Sequence, residues 1–213
     1  MSPSPVQYAV VVPVKPPARG KSRLVGLTDV QRRELAGAFA LDTVTACLAA
    51  TTVGAVLVAT DDATFSAELA RLGCPAIPDG VASDLNAALR QAAAEARRRW
   101  PDLLPVALCA DLPALRPEDL DLALGSVAAG ETRFVADAAG IGTTLYTAPY
   151  DGFDPRFGVD SRAAHLDGGA REITGPLASL RRDVDDLADL RDALALGVGT
   201  RTAFVADGLG LDA

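Results

Sequence analysis

The chain has 213 residues, of which 49% are hydrophobic and 23% are charged, and its net charge is −8. These are values of an ordinary globular protein, long enough to bury about 70% of its unfolded surface as one domain. The negative charge argues against a general affinity for nucleic acid or for an anionic membrane.

The first half of the chain alternates predicted strands with predicted helices. The predicted strands are Tyr8–Val12, Val53–Ala59, Pro75–Ile77 and Val106–Ala110, and helices are predicted at about 29–50, 64–72, 83–100 and from residue 117 onward. We expect Asp29 to cap the first helix, Ser83 or Asp84 the third, and Pro117 to lie in the first turn of the fourth. The alternation predicts an α/β fold with a largely parallel, doubly wound sheet.

The second half is less regular. Arg133–Asp137 and Thr143–Thr147 are predicted to pair as antiparallel strands, followed by a short helix at Asp160–Leu166, a strand at Leu177–Val184 and a closing helix at Asp186–Leu196. No internal repeat, linker or low-complexity run divides the sequence. We therefore expect a single domain over residues 1–213.

A basic segment follows the first predicted strand. Its cations are Lys15, Arg19, Lys21 and Arg23. Ligands of open α/β sheets bind beyond the carboxyl ends of the strands, so this segment predicts a polyphosphate site. Gly20–Ser22 matches the end of a P-loop, but Lys15 stands where that motif begins with glycine, and Pro16 and Pro17 remove two backbone donors. The cations can bind phosphates through their side chains. A solvated basic loop is the alternative.

Three aspartates are candidate metal ligands. Asp111 follows the predicted strand 106–110, where a carboxylate beside bound phosphates suits Mg²⁺. Its alternative role is to cap the next turn. Asp183 and Asp185 share a face if their segment is extended, and they would be further ligands if that strand end reaches Asp111. The alternative is a surface acidic cluster that continues to Asp192.

Other reactive side chains carry weaker signals. His165 is the only histidine, on a predicted short helix where a structural role is commoner, and no Ser/His/Asp arrangement emerges. The three cysteines, Cys47, Cys74 and Cys109, lack C-x-x-C spacing and predict buried free thiols.

Met1–Pro5 has no features of a signal peptide, and no apolar run is long enough to span a bilayer. We expect a cytoplasmic protein.

Taken in order, the motifs resemble those of the CofC family, the 2-phospho-L-lactate guanylyltransferases, whose actinobacterial branch uses phosphoenolpyruvate. The motifs are P-V-K…G-K-S-R-L, T-D-D, D-L-N-A-A-L, A-D-L-P, G-T-T-L, F-G-x-x-S-x-x-x-H and D-V-D-x-x-x-D-L, and they cover nearly the whole chain. The resemblance implies a three-layer α/β/α nucleotidyltransferase fold of Rossmann-like type. One departure is Thr144, which stands where the family pattern has asparagine.

The resemblance also implies the roles of individual residues. Lys15, Lys21 and Arg23 would hold the triphosphate, with Lys21 and Asp111 as catalytic residues and Asn86 near the nucleoside. Asp111, Asp183 and Asp185 would bind Mg²⁺, and Thr143, Gly158 and Ser161 would hold the phosphorylated acid.

The implied reaction transfers GMP from GTP to phosphoenolpyruvate and releases pyrophosphate, in coenzyme F-420 biosynthesis. 2-Phospho-L-lactate is the alternative acceptor, and the product would pass to a downstream transferase. The preference for phosphoenolpyruvate rests on the resemblance and on a composition rich in Ala, Arg and Asp. Rival functions are a cytidylyl-, sugar- or molybdopterin-type nucleotidyltransferase and a non-enzymatic nucleotide-binding protein.

Overall fold

The computed structural model of the chain describes residues 7–14, 24–80 and 84–211. They include a seven-stranded sheet. Its strands are β1 (Tyr8–Pro13), β2 (Val53–Ala59), β3 (Ala76–Ile77), β4 (Leu104–Leu108), β5 (Arg133–Ala136), β6 (Thr143–Thr147) and β7 (Arg171–Glu172). The spatial order is β3-β2-β1-β4-β6-β5-β7. Strand β6 is antiparallel to β4 and β5, and the other pairs are parallel. The prediction of a mostly parallel sheet is confirmed.

Helices cover both faces of this sheet. They are α1 (Asp29–Ala49), α2 (Ala63–Arg71), α3 (Leu85–Arg99), α4 (Pro117–Gly125), α5 (Ser161–Asp167), α6 (Ala178–Arg181), α7 (Leu187–Leu196) and α8 (Thr200–Gly208), with a 3₁₀ turn at Tyr150–Gly152. Asp84 caps α3 and Pro117 opens α4, as predicted. The cap of α1 is Thr28 rather than Asp29, because Thr28 and Gln31 form a capping box. Within the part of the chain that the structure describes, no helix has the length and apolar character that a bilayer crossing needs.

The prediction of a strand at Leu177–Val184 is wrong. Residues 178–181 form the short helix α6 instead. Leu177 and Leu180, three residues apart, are both buried, which a helical turn achieves and an alternating strand does not. The two-residue strand β7 and the last helix, α8, were not predicted, and β4 begins two residues before its predicted start.

The alternation of side chains along β1 divides the interior into two cores. Tyr8, Val10 and Val12 pack with α1, α2, α4 and α6 on one face, and Ala9 and Val11 pack with α3 on the other. The sheet therefore lies between two helical layers, as expected for an α/β/α sandwich. A third apolar cluster joins Phe39 of α1 to Leu190 of α7 and buries Val184 between them.

The strand order places a crevice at the carboxyl ends of the central strands β1 and β4. From β1 the chain proceeds to β2 and β3 on one side, whereas β4 lies on the other side of β1. This is a topological switch point, at which open α/β sheets bind their ligands beyond the carboxyl ends of the strands. Since β6 is antiparallel to β4, its first residue, Thr143, lies at this same end of the sheet.

Candidate active site

Asp111 lies just beyond the carboxyl end of β4, and α1 holds the backbone on both sides of it. The buried hydroxyl of Thr43 lies 3.2 Å from the carbonyl of Ala110 and accepts a 3.1 Å hydrogen bond from the backbone N–H of Leu112. Thr43 thus fixes the direction in which Asp111 leaves the sheet. The sequence analysis did not identify Thr43, because a threonine within an apolar helix carries no distinctive signal.

The segment before α7 brings two more predicted carboxylates to Asp111. The backbone N–H of Val184 donates to the carbonyl of Asp111 at 3.0 Å, so Asp183 and Asp185 flank a residue anchored both to Asp111 and to the third apolar cluster. Burial, followed by the charges of Asp111, Asp185 and Asp137, raises the pKa of Asp183 to about 7. The three predicted aspartates therefore meet at one place.

Asp137 is a fourth carboxylate that the sequence analysis did not identify. It follows β5, and its carboxylate accepts hydrogen bonds from the backbone N–H groups of Ile141 at 2.9 Å and Gly142 at 2.8 Å. Arg181 holds this turn to α6, since its guanidinium donates to the carbonyl of Ala136 and its own carbonyl accepts from Ala138. The sequence signal that could have identified Asp137 is an aspartate between a predicted strand and a Gly-x-Gly turn.

These aspartates suit a divalent cation shared with a phosphorylated ligand. Asp137, Asp183 and Asp185 line a cavity of about 380 Å³. Among residues 7–14, 24–80 and 84–211, no three His, Cys, Asp or Glu side chains are already arranged as a metal site. Mg²⁺ usually binds through one or two carboxylates, waters and substrate phosphates, so a loose carboxylate group fits it better than a closed cage would. A cation would also relieve the repulsion among these carboxylates, which adds to burial in raising the pKa of Asp183.

Two of the predicted acceptor residues lie at the start of β6 and at the start of α5. Thr143 and Ser161 are both buried, and the hydroxyl of Thr143 lies 3.0 Å from Nδ1 of His165, one turn beyond Ser161 on α5. The backbone N–H of Arg162 donates to the carbonyl of Ile141, which ties the start of α5 to the β5–β6 turn. The start of α5 and the start of β6 are therefore held together.

Asn86 holds the residue that precedes Gly158. The Asn86 amide donates to the carbonyl of Phe157 at 2.9 Å and accepts from the Phe157 N–H at 2.8 Å. Gly158 follows with φ +137°, in the region that favours glycine. The amide of Asn86 thus holds the segment that contains Gly158, and its predicted contact with the nucleoside stays a prediction.

Two further predictions concern the basic segment and Thr144. Lys15, Lys21 and Arg23 lie outside the described residues, so their contacts with a triphosphate stay predictions. The Thr144 side chain is fully buried, and among the described residues its hydroxyl has no hydrogen-bond partner.

Comparison with known sequences identifies the family. The profile of the CofC-like guanylyl transferases matches residues 8–211. The chain belongs to this family. A Streptomyces scabiei protein named phosphoenolpyruvate guanylyltransferase is 51% identical over 208 residues, which cover 94% of this chain and 96% of the relative. A Thermomonospora curvata protein of the same name is 49% identical, with 93% and 88% covered. The predicted family and the assignment as a nucleotidyltransferase enzyme are confirmed.

The fold agrees with that of solved nucleotidyltransferases. A putative nucleotide-diphospho-sugar transferase from Desulfovibrio desulfuricans superposes with a TM-score of 0.68 at 16% identity, with 97% of this chain and 96% of that chain covered. At this identity the likeness establishes the architecture only. The predicted nucleotidyltransferase fold is confirmed.

Proposed function

We propose that this enzyme transfers GMP from GTP to phosphoenolpyruvate and releases pyrophosphate. The observation that carries the proposal is the convergence of Asp111, Asp183 and Asp185 beyond the carboxyl end of β4, next to the switch point of the sheet. Relatives of about 50% identity that bear the name of this activity supply the choice of nucleotide and acceptor.

In the proposed reaction, a phosphate oxygen of phosphoenolpyruvate attacks the α-phosphorus of GTP. A new oxygen–phosphorus bond forms, the bond from the α-phosphorus to the bridging oxygen breaks, and pyrophosphate leaves. The attacking phosphate is already ionised near neutral pH, so no general base is required. This agrees with the structure, in which both ring nitrogens of the one histidine are hydrogen-bonded.

The residues have distinct proposed roles. Lys15, Lys21 and Arg23 hold the triphosphate, and Thr143, Gly158 and Ser161 hold the acid. Asp111, Asp183 and Asp185 hold a divalent cation, for which we propose Mg²⁺, and this ion would supply positive charge to the phosphate oxygens. Asp111 and Lys21 are the residues that we expect to affect the chemical step most.

We place the reaction in coenzyme F-420 biosynthesis in the cytoplasm, as the family resemblance implies, with the product passed to a downstream transferase. Residues 1–213 would act as one domain. We propose no role for nucleic acid or membrane, in line with the net charge of −8.

Steady-state pyrophosphate release tests the proposal. GTP, ATP and CTP are each combined with phosphoenolpyruvate or 2-phospho-L-lactate. We expect the highest kcat/KM for GTP with phosphoenolpyruvate. The two acids differ only in the shape of a small apolar group, so the preference is expected to be about 10- to 200-fold. A higher kcat/KM for phospholactate would overturn the acceptor, and a higher one for CTP or ATP would overturn the nucleotide.

A further inference from the structure

His165 is buried against three aromatic rings, next to the predicted acceptor residue Thr143. It is 1% exposed, it stacks on Tyr146 with ring centroids 4.7 Å apart and on Phe134 at 5.5 Å, and it meets the edge of Phe157 at 5.6 Å. A buried imidazole also needs hydrogen-bond partners for its two nitrogens, and here both partners belong to the proposed acceptor region.

The two hydrogen bonds fix which nitrogen carries the proton. The backbone N–H of Arg156 donates to Nε2 at 3.0 Å, and since a backbone N–H is only a donor, Nε2 is the unprotonated nitrogen. A neutral imidazole then carries its proton on Nδ1, which lies 3.0 Å from Oγ1 of Thr143. Nδ1 is therefore a donor, whose proton lies between the Thr143 oxygen and the backbone carbonyl of Ser161, and it cannot accept a hydrogen bond from the Thr143 hydroxyl.

This direction determines what Thr143 can do for a ligand. Because Nδ1 cannot accept from Thr143, the hydroxyl hydrogen of Thr143 points elsewhere, and none of the described residues accepts it. We propose that His165 is a positioning residue of the acceptor site, where it directs the Thr143 hydroxyl as a donor to the bound acid and fixes the backbone that leads into Gly158. The proposal rests on the proposed function, since it concerns how the same acceptor is held.

A second anchor supports the backbone role. Arg156 is bound by His165, and the next residue, Phe157, is bound through both its N–H and its carbonyl by Asn86. Two side chains from different elements, α3 and α5, thus hold consecutive peptide units just before Gly158.

The surroundings keep the ring neutral. Burial is the main cause that lowers the pKa of His165, to about 4, and the charge of Arg156 acts in the same direction, while the Ser161 carbonyl and Asp154 act against it. Tyr146, which also faces the ring, has a raised pKa and is uncharged at neutral pH. The direction of the hydrogen bond to Thr143 is therefore constant across the physiological range.

Kinetics of four variants test the role. His165→Phe keeps an aromatic ring in the packed site but neither donates nor accepts, and Thr143→Val removes the hydroxyl. Each is expected to raise the KM for phosphoenolpyruvate by about tenfold or more, with the KM for GTP unchanged to within about twofold. The double variant should raise the KM for phosphoenolpyruvate by less than the product of the two single effects, because part of the effect of His165 is exerted through Thr143.

The matched control is Thr147→Val, which makes the same change on the same strand. It removes the buried bond from the Thr147 hydroxyl to the carbonyl of Pro105, away from the acceptor side. We expect it to lower the melting temperature and leave both KM values unchanged. If His165→Phe instead behaved like this control, or if its effects added to those of Thr143→Val, the positioning role would be wrong.

A measurement on the unmodified protein keeps the proposal testable if His165→Phe does not fold. Since the chain has one histidine, ¹⁵N-histidine labelling gives one pair of ring signals. We expect a directly bonded proton on Nδ1 and none on Nε2, and a shift of the Nδ1 signal when phosphoenolpyruvate is added. A proton on Nε2, or signals that do not respond to the acid, would overturn the proposal. Failure of the protein to use phosphoenolpyruvate at all would contradict the proposed function, whereas the tautomer tests the network by itself.

Discussion

At the scale of single residues, two aspartates at opposite ends of one strand differ in their surroundings. Asp102 and Asp111 lie at opposite ends of β4, one on an exposed turn before the strand and the other beyond its carboxyl end, beside Asp183. Only the second position faces the crevice of the sheet. The two residues therefore offer a matched pair of substitutions.

Asp111→Asn is expected to lower turnover by at least about a hundredfold, because it removes a charged ligand from the proposed cation site. Thermal stability should change by less than about 1 kcal/mol, since no core packing is lost. Turnover is measured across a Mg²⁺ titration, alongside thermal melting. Asp102→Asn is the control and should match the unmodified enzyme. Near-normal turnover of Asp111→Asn at ordinary Mg²⁺ would remove Asp111 from the metal site.

The protonation of His165 is expected to make the stability of the fold depend on pH. The ring's folded pKa of about 4 lies below its ordinary value of 6.5, so between these values the unfolded chain binds the extra proton. The stability that the neutral ring contributes is present above about pH 6.5 and is lost as the pH falls toward 4.

We therefore expect the unmodified protein to lose about 1–2 kcal/mol more unfolding free energy than His165→Phe between pH 7 and pH 5. Urea denaturation of both proteins at the two pH values measures this. Asp183, with its raised pKa, has the opposite dependence, but it is present in both proteins and cancels in the comparison. Equal losses in the two proteins would show that the ring is not held neutral.

At the scale of elements, helix α1 holds the β4 end of the site in place. Both Thr43 and Thr45 donate to a carbonyl one turn earlier in α1. Thr43 also contacts the residues on both sides of Asp111, whereas Thr45 is exposed and accepts a hydrogen bond from Arg201 of α8. Only Thr43 of this pair therefore connects α1 to the carboxyl end of β4.

Thr43→Val is expected to destabilise the fold by about 1–3 kcal/mol, because the buried N–H of Leu112 loses its acceptor. A shift of Asp111 should also lower kcat/KM by about tenfold or more. Denaturant unfolding and steady-state kinetics measure the two effects. Thr45→Val should show neither to a comparable degree. Unchanged kcat/KM in a clearly destabilised Thr43→Val would mean that α1 supports the fold but not the position of Asp111.

The segment around Gly158 gives a test of the acceptor side. Gly158 and Gly175 have similar backbone angles, φ +137° and +127°, and at neither would an added β-carbon meet another described residue. Replacement by valine strains both to a similar extent, about 1–3 kcal/mol. We expect Gly158→Val to raise the KM for phosphoenolpyruvate, whereas Gly175→Val should only lower stability. An unchanged acceptor KM in Gly158→Val would exclude this segment from the acceptor site.

The elements also show how far sequence alone reaches. The strand β1 is predictable because it is an apolar run buried on both faces, and Asp111 is predictable because it ends such a run. The segment 177–184 is not, since Leu177 and Leu180 fit a short helical turn whose burial depends on partners far along the chain. The hydrogen bonds of Asn86 and His165 are likewise set by residues 71 and 22 positions away, which no local pattern indicates.

At the scale of the whole molecule, the elements that carry the candidate site meet at the carboxyl end of the parallel strands. The crevice between β1 and β4 receives the end of β1, which leads into the basic segment, and Asp111 beyond β4. The antiparallel strand β6 brings Thr143 to the same end, where α5 and the segment around Gly158 meet it. In our proposal, the carboxylates beyond β4 hold the cation, and the residues at the start of β6 and α5 hold the acceptor.

The central claim is that the acceptor's phosphate attacks the α-phosphorus of GTP. Phosphoenolpyruvate labelled with ¹⁸O in its terminal phosphate oxygens, incubated with GTP and Mg²⁺, tests it through ³¹P NMR and mass spectrometry of the product. We predict a mixed diphosphate that keeps every labelled oxygen, with one of them bridging the two phosphorus atoms, and unlabelled pyrophosphate. Label in the pyrophosphate, or GMP as the sole nucleotide product, would contradict the account.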